Sequence, residues 1–222
     1  PLTRSVQVFQ GTRWLSLKDW EAPLARAGIG PDGGWVDLER GELVSRSPST
    51  RCFRLTLDSG EVVYFKRYRY AVKKWLEFWL RPGKAAVEVF GYARLASLGI
   101  PSLDVVAFGE QRLFGMLQAA FLVTRAVPDS LDLARFAQEV WRPLPPPERR
   151  RLYREIAGQL LLQLQRAHGA GFFHHDLKWR NILIQRQGDR LVPVWIDCPR
   201  AEERSLFRRR GVVVDLSGLA RL

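Results

Sequence analysis

Three side chains in one short run, Asp176, Lys178 and Asn181, have the types and spacing that phosphoryl transfer needs. Moving a phosphoryl group onto a hydroxyl requires a carboxylate that orients the hydroxyl and takes its proton, a cation beside the transferring group, and a short oxygen-bearing side chain that holds a metal ion on the phosphates. Asp176 suits the first task, Lys178 the second, and Asn181 the third. Apolar residues lead into the run at Phe172-Phe173 and out of it at Ile182-Leu183-Ile184, so two strands are expected to hold a polar turn.

The elements around this turn read as its supports. After Asn181 come a strand over 182–184, a polar turn over 185–190 and a strand over 191–196, a hairpin that returns Asp197 beside Asn181. Upstream, residues 148–168 form the clearest helix, with Leu152, Ile156, Leu160 and Leu164 at every fourth position and Gly169 and Gly171 at its end. Downstream, Asp215 either supports the turn's backbone from a following helix or caps that helix. Residues 141–147, rich in proline, are expected to be a stiff non-helical connector. Asp129 or Ser130 is expected to cap the helix before it.

The first half reads as strands. Residues 35–44, 51–57 and 61–66 are expected to pair, with a turn at Asp58-Ser59-Gly60 and a further strand at Phe121-Leu122-Val123-Thr124. Lys66 closes the third strand, and a helix over 84–98, ended by Gly99 and Pro101, carries Glu88. Residues 14–21 read as a short helix and 28–34 as a loop. Over 68–81 a helical wheel puts Tyr68, Val72, Trp75, Leu76, Trp79 and Leu80 on one face, with Arg67, Lys73, Lys74 and Arg81 around it. That face either lies on an anionic membrane or packs on the protein's own core.

Composition narrows the class. The 222 residues suit one domain of two small lobes, and a net charge of +12, from 35 Lys and Arg against 23 Asp and Glu, calls for an anionic partner. No run is long and apolar enough to span a membrane, and no signal peptide is expected. Cys52 and Cys198 are expected as free thiols in a reducing cytoplasm. His168, His174 and His175 lack the spacing of a zinc site.

Lys66, Glu88, the run from His174 to Asn181 and Asp197 together resemble the protein-kinase-like superfamily over about residues 35–217, the run matching H-x-D-L-K-x-x-N. The short helical carboxyl end, the absent glycine-rich loop and the basic insertion after Lys66, with Gly99-Ile100-Pro101 closing the following helix, are similar to bacterial lipopolysaccharide kinases of the Kdo/WaaP type. The resemblance implies an α+β fold, protein-kinase-like and two-lobed. A small antiparallel sheet lobe with one helix (35–124) follows an N-terminal extension (1–34) and precedes a truncated, mainly helical lobe (125–222). It implies ATP and Mg2+, with Lys66 held by Glu88 at the phosphates and Asn181 and Asp197 on the metal. Ser47 and Ser49 would stand in for the phosphate-binding glycines, unless the 45–50 stretch is a plain polar turn, and the backbone near Thr124 would meet the adenine. The implied acceptor is a heptose or Kdo hydroxyl of the lipopolysaccharide inner core. The implied place is the cytoplasmic face of a Gram-negative inner membrane, with peripheral attachment to its anionic surface; nucleic acid is not an expected partner. Asp197-Cys198-Pro199 departs from the usual Asp-Phe-Gly, which speaks against a conformational switch there. The rival readings are a protein or small-molecule kinase, against which stands the missing Ala-Pro-Glu element, and a non-catalytic kinase-like binding module.

Overall fold

Alternating apolar and polar residues build the first of two units, Pro1–Phe90 with Asp104–Ala126, around a six-stranded antiparallel sheet. The computed structural model describes residues 9–203 and 208–220. In chain order the unit holds β1 (Gly11–Ser16), α1 (Glu21–Arg26), β2 (Glu42–Ser47), β3 (Thr50–Thr56), β4 (Val62–Arg69), α2 (Val72–Trp75), the start of α3 (Lys84–Ser97), β5 (Val105–Leu113) and β6 (Met116–Arg125). The strand order is β1-β5-β6-β4-β3-β2. Because a strand's side chains alternate, Val63, Phe65 and Arg67 of β4 point to one face, and Tyr64, Lys66 and Tyr68 to the other. The first face buries Phe53, Leu55, Phe65, Phe121 and Val123 against Trp20, Leu24, Ile29 and Trp35.

This core corrects several expectations. Trp14 to Ser16 lie in β1 rather than in a helix, because β1 gains a full ladder along β5, from Gly11 opposite Arg112 to Ser16 opposite Ala107. Part of the 1–34 stretch is therefore sheet and core of this unit. Trp35 does not begin a strand: it sits in a 3-10 turn (Gly34–Val36), fully buried, and β2 begins only at Glu42. The expected 68–81 helix is also broken. β4 runs on to Arg69, so Tyr68 pairs with Ala120 and is buried in the sheet. Only Val72–Trp75 and a 3-10 turn at Leu76–Phe78 are helical. Arg67 is not a surface cation, since its guanidinium is buried on the carbonyls of Val36 and Leu38 and on Glu39.

The second unit is Gly91–Leu103 with Val127–Leu222, so α3 is divided between the two. It contains β7 (Ser130–Asp132), α4 (Leu133–Phe136), α5 (Pro146–Gly169), β8 (Phe172–Phe173), β9 (Ile182–Gln187), β10 (Arg190–Trp195), β11 (Glu202–Glu203) and α6 (Arg208–Ala220). Sheet order β10-β9-β7 includes the expected hairpin, and β8 pairs with β11. The α4 cap is Asp132, whose Oδ1 accepts the Arg135 N–H at 3.0 Å, and neither Asp129 nor Ser130. Ser130 is committed to β7, and Asp129 has a left-handed φ of 49°. The proline run is not wholly a connector. Pro146 and Pro147 open α5, in a first turn whose N–H groups have no partner within the helix. The apolar stripe of α5, from Leu152 to Leu164, is buried as its spacing requires. Among the described residues no helix is long and apolar enough to cross a membrane.

Candidate active site

The turn between β8 and β9 is held from beneath by one carboxylate. Asp215, buried on α6, accepts the backbone N–H of His174 through Oδ2 at 3.1 Å and that of His175 through Oδ1 at 2.7 Å. His168 Nε2 lies 3.1 Å from the same Oδ2. These bonds satisfy backbone donors that a buried turn would otherwise strand, and they hold His175 at a φ of 60°. Asp215 thus supports the loop and is not a helix cap.

His174 ties the turn to the strand that follows. Its Nε2 is 3.1 Å from the Ile196 carbonyl, and its Nδ1 accepts the Asp176 N–H at 3.3 Å. Burial pushes the His174 pKa down, against the pull of Asp215, Asp197 and Asp176. The ring is therefore neutral, the state in which one nitrogen donates and the other accepts.

On this frame the predicted residues come together. Lys178 Nζ stands 2.5 Å from Asp176 Oδ1. The Asn181 side-chain amide donates to the Asp176 carbonyl at 2.8 Å and to its Oδ2 at 3.3 Å. With Nδ2 so engaged, the Oδ1 of the buried Asn181 is the atom that could take a cation. The Ile196 N–H donates to the Asn181 carbonyl at 2.9 Å, which brings the next residue, Asp197, back beside Asn181. Asp197 has a φ of 58°, and its N–H donates to the Tyr92 hydroxyl at 2.9 Å. An amide oxygen and a carboxylate are hard oxygen donors of the kind Mg2+ takes, so the residues fit that ion. Cys198 fills a packing role: it is fully buried, and a Cβ added at Gly91 would lie 2.6 Å from its sulfur.

In the first unit Lys66 Nζ meets Glu88 Oε1 at 2.8 Å. Glu88 is only 1% exposed, so it is no solvated surface acid. Tyr68 also donates its hydroxyl to that Oε1. Sequence reasoning missed this role for Tyr68, although the signal was available: two residues beyond Lys66 in a strand, it must share the lysine's face. Thr124 pairs with Tyr64 in the ladder and is buried on the same face. Ser47 closes β2 and Ser49 lies in the turn to β3. Both line an open cleft of about 700 Å³ with Arg46, Arg51 and Arg69, and Lys66 is not part of its wall. Tyr92 was also unforeseen, because nothing in sequence marks its hydroxyl as the partner of the Asp197 N–H.

Comparison with known proteins gives the family and the fold. The model of the lipopolysaccharide kinase (Kdo/WaaP) family matches residues 36–222. The chain is similar to the lipopolysaccharide core heptose(I) kinase WaaP of Escherichia coli K12, with 26% identity over 214 residues, 91% of this chain and 79% of the relative. With WaaP of Pseudomonas aeruginosa it shares 30% identity over 130 residues, 57% of this chain, and spans 47% of that relative's length. A putative cyclin-dependent kinase F-2 of Oryza sativa subsp. japonica is 32% identical over 133 residues, 59% of this chain and 37% of the relative. Among solved structures, WaaP in complex with acyl carrier protein superposes with a TM-score of 0.70 at 24% identity, covering 94% of this chain and 80% of the other. The Rio2 kinase of Chaetomium thermophilum gives a TM-score of 0.56 at 18% identity, covering 88% and 58%. These last two show the fold, which is α+β and protein-kinase-like.

Proposed function

The chain belongs to the lipopolysaccharide kinase (Kdo/WaaP) family, and from that premise we propose that it transfers a phosphoryl group from ATP to a heptose or Kdo hydroxyl of the lipopolysaccharide inner core. The observation that carries the reading is the Asp176, Lys178 and Asn181 cluster, locked by Asp215 and followed by Asp197.

Each residue then has a task its surroundings support. The acceptor oxygen forms a bond to the γ-phosphorus as the bond to the bridging oxygen breaks and ADP leaves. The acceptor's proton passes to the Asp176 carboxylate, and Lys178 keeps that carboxylate in place and offsets charge on the phosphoryl oxygens. Asn181 and Asp197 would hold Mg2+, which when bound would draw charge from the phosphate oxygens. Lys66, fixed by Glu88 and Tyr68, grips the phosphates. The backbone near Thr124 meets the adenine, whereas Ser47 and Ser49 line a cleft whose wall does not include Lys66 and are given no part in holding the phosphates. A lipid-linked acceptor and cellular ATP together put the reaction at the cytoplasmic face of a Gram-negative inner membrane, with the chain attached peripherally.

The test is phosphate incorporation from labelled ATP into a panel of core oligosaccharides carrying heptose and Kdo. Transfer to one of these sugars is expected, and Asp176→Asn should reduce turnover by about 10²–10⁴-fold with an unchanged melting temperature. Transfer to peptides or aminoglycosides but to no core sugar would overturn the acceptor. Full activity in the Asp176→Asn variant would remove that residue from the chemistry.

A further inference from the structure

Six apolar side chains that the catalytic machinery does not use, Phe9, Val72, Leu76, Trp79, Leu80 and Phe114, are each between 49% and 75% exposed. Three separate stretches of the first unit carry them, and Phe9, Trp79, Leu80 and Phe114 meet at one place. The β5–β6 hairpin turns through Phe114 and Gly115, with Leu113 opposite Met116. Both turn residues have positive φ, 48° and 80°, as a two-residue type I′ turn requires. Phe9 lies edge-on to Phe114 with ring centroids 6.4 Å apart, and its carbonyl accepts the Gly115 N–H at 2.7 Å. The stretch after β4 joins them: Trp79 Nε1 donates to the Phe114 carbonyl at 3.1 Å, and the Leu80 N–H to the Gly115 carbonyl at 3.2 Å.

Folding alone does not account for this surface. Phe114 and Leu80, the latter at a φ of 51°, occupy left-handed backbone positions where Asn, Asp or Gly would sit with less strain. Each also leaves its side chain in water. One buried side chain ties these stretches together beneath. Arg112, buried and paired with Glu110 at 3.1 Å, donates to the carbonyls of Phe78 at 3.1 Å, Gly115 at 2.9 Å and Arg81 at 2.8 Å. The Trp79 ring can leave water without stranding its N–H, which is already satisfied. Lys73, Lys74, Arg81 and Lys84 are exposed on the same stretch, and the acid among them, Glu77, is paired with Lys74 at 2.5 Å.

We propose that this face is a docking surface for an anionic lipid bilayer. Its Trp, Phe and Leu side chains enter the boundary between headgroups and acyl chains, and its cations meet the lipid phosphates. Charge chooses the occupant: a surplus of cations around apolar aromatic groups, on a chain of net charge +12, complements a negative membrane surface. The inference gives the proposed lipid-linked acceptor its route of approach and in that sense rests on it, but vesicle binding needs no acceptor, so the two can fail separately.

The measurement is co-sedimentation of the full chain with vesicles of phosphatidylethanolamine and phosphatidylglycerol, beside vesicles of phosphatidylcholine alone. Binding to the anionic vesicles is expected, weakening as salt rises, with little binding to the neutral ones. Phe114→Asn installs the Asn-Gly pair that a type I′ turn prefers, so its melting temperature should hold or rise while vesicle partitioning falls about tenfold or more. Lys73→Glu, Lys74→Glu and Arg81→Glu together should lower partitioning on the order of 100-fold. Transfer to soluble core oligosaccharide should be unchanged in both. Wild-type failure to bind anionic vesicles would overturn the docking surface, as would wild-type partitioning in the Phe114→Asn and triple variants. Capture of a purified acidic protein, such as acyl carrier protein, through these residues with no vesicle binding would likewise overturn it. Vesicle binding without phosphorylation of any core sugar would support the surface and overturn the proposed acceptor.

Discussion

The grip on phosphate proposed for Lys66 depends on two other side chains that hold it in place. Glu88 is buried, takes the ammonium at 2.8 Å and accepts the Tyr68 hydroxyl on the same oxygen. Removing Lys66 leaves a buried carboxylate without its charge partner, a change that costs about 3–5 kcal/mol in comparable buried pairs. Lys66→Ala and Glu88→Ala should therefore impair the same step, and the double variant should cost less than the two singles combined. Fully additive losses in kcat/KM would show that the pair does not act as a unit. Tyr68→Phe takes away a donor but leaves the ion pair, so it should destabilise the fold by about 1–3 kcal/mol in urea titrations and raise the KM for ATP less than Lys66→Ala does. An unchanged KM and stability in Tyr68→Phe would assign the tyrosine no positioning role.

At the scale of elements, α6 acts as the floor of the loop proposed to be catalytic. Beyond the Asp215 carboxylate, the Trp179 indole donates to the Leu219 carbonyl at 2.7 Å, and Gly218 lies so close that an added Cβ would collide with the Leu177 carbonyl. The contact is to backbone, which cannot rotate aside. Gly218→Ala should thus cost roughly 1–3 kcal/mol of stability. By displacing the loop it should also lower turnover about 10–100-fold. Gly158 in α5 is the control: nothing lies within 4 Å of its added Cβ, so Gly158→Ala should be neutral or mildly stabilising. Equal behaviour of the two variants in thermal melts and turnover would refute the role given to α6.

For the molecule as a whole, ligand binding is the sharpest probe, because anything that binds only the folded chain raises its melting temperature. ATP with Mg2+ at about a hundred times its dissociation constant should add about 2.7 kcal/mol. Asp197→Asn should remove the part of that gain that depends on Mg2+, and Lys66→Ala the part that ATP supplies alone. A metal titration of both variants separates these contributions, and an intact Mg2+ effect in Asp197→Asn would take Asp197 out of the metal site.

Sequence by itself determined those features whose cause is local. The Asp176 to Asn181 spacing is set within one turn, the α5 stripe follows from a helical repeat, and the β9–β10 hairpin returns Asp197 beside Asn181 because its strands are close in the chain. Asp215, Lys66 and Glu88 were legible as candidates, since each sits at a marked place in its element. Only the tertiary structure decided what depends on distant chain. Trp14 became strand rather than helix because β5, far along the sequence, offers it a ladder. Tyr68 left the supposed amphipathic helix because β6 pairs with it, and Arg67 turned inward to carbonyls some thirty residues away. The cap moved to Asp132 because β9 recruits Ser130 into a strand. The apolar face also took its final form this way, since Phe9 and Phe114 join Trp79 and Leu80 through backbone bonds that no periodicity records. In each case a hydrogen-bonding partner remote in sequence outweighed a local preference worth less than about 1 kcal/mol per residue.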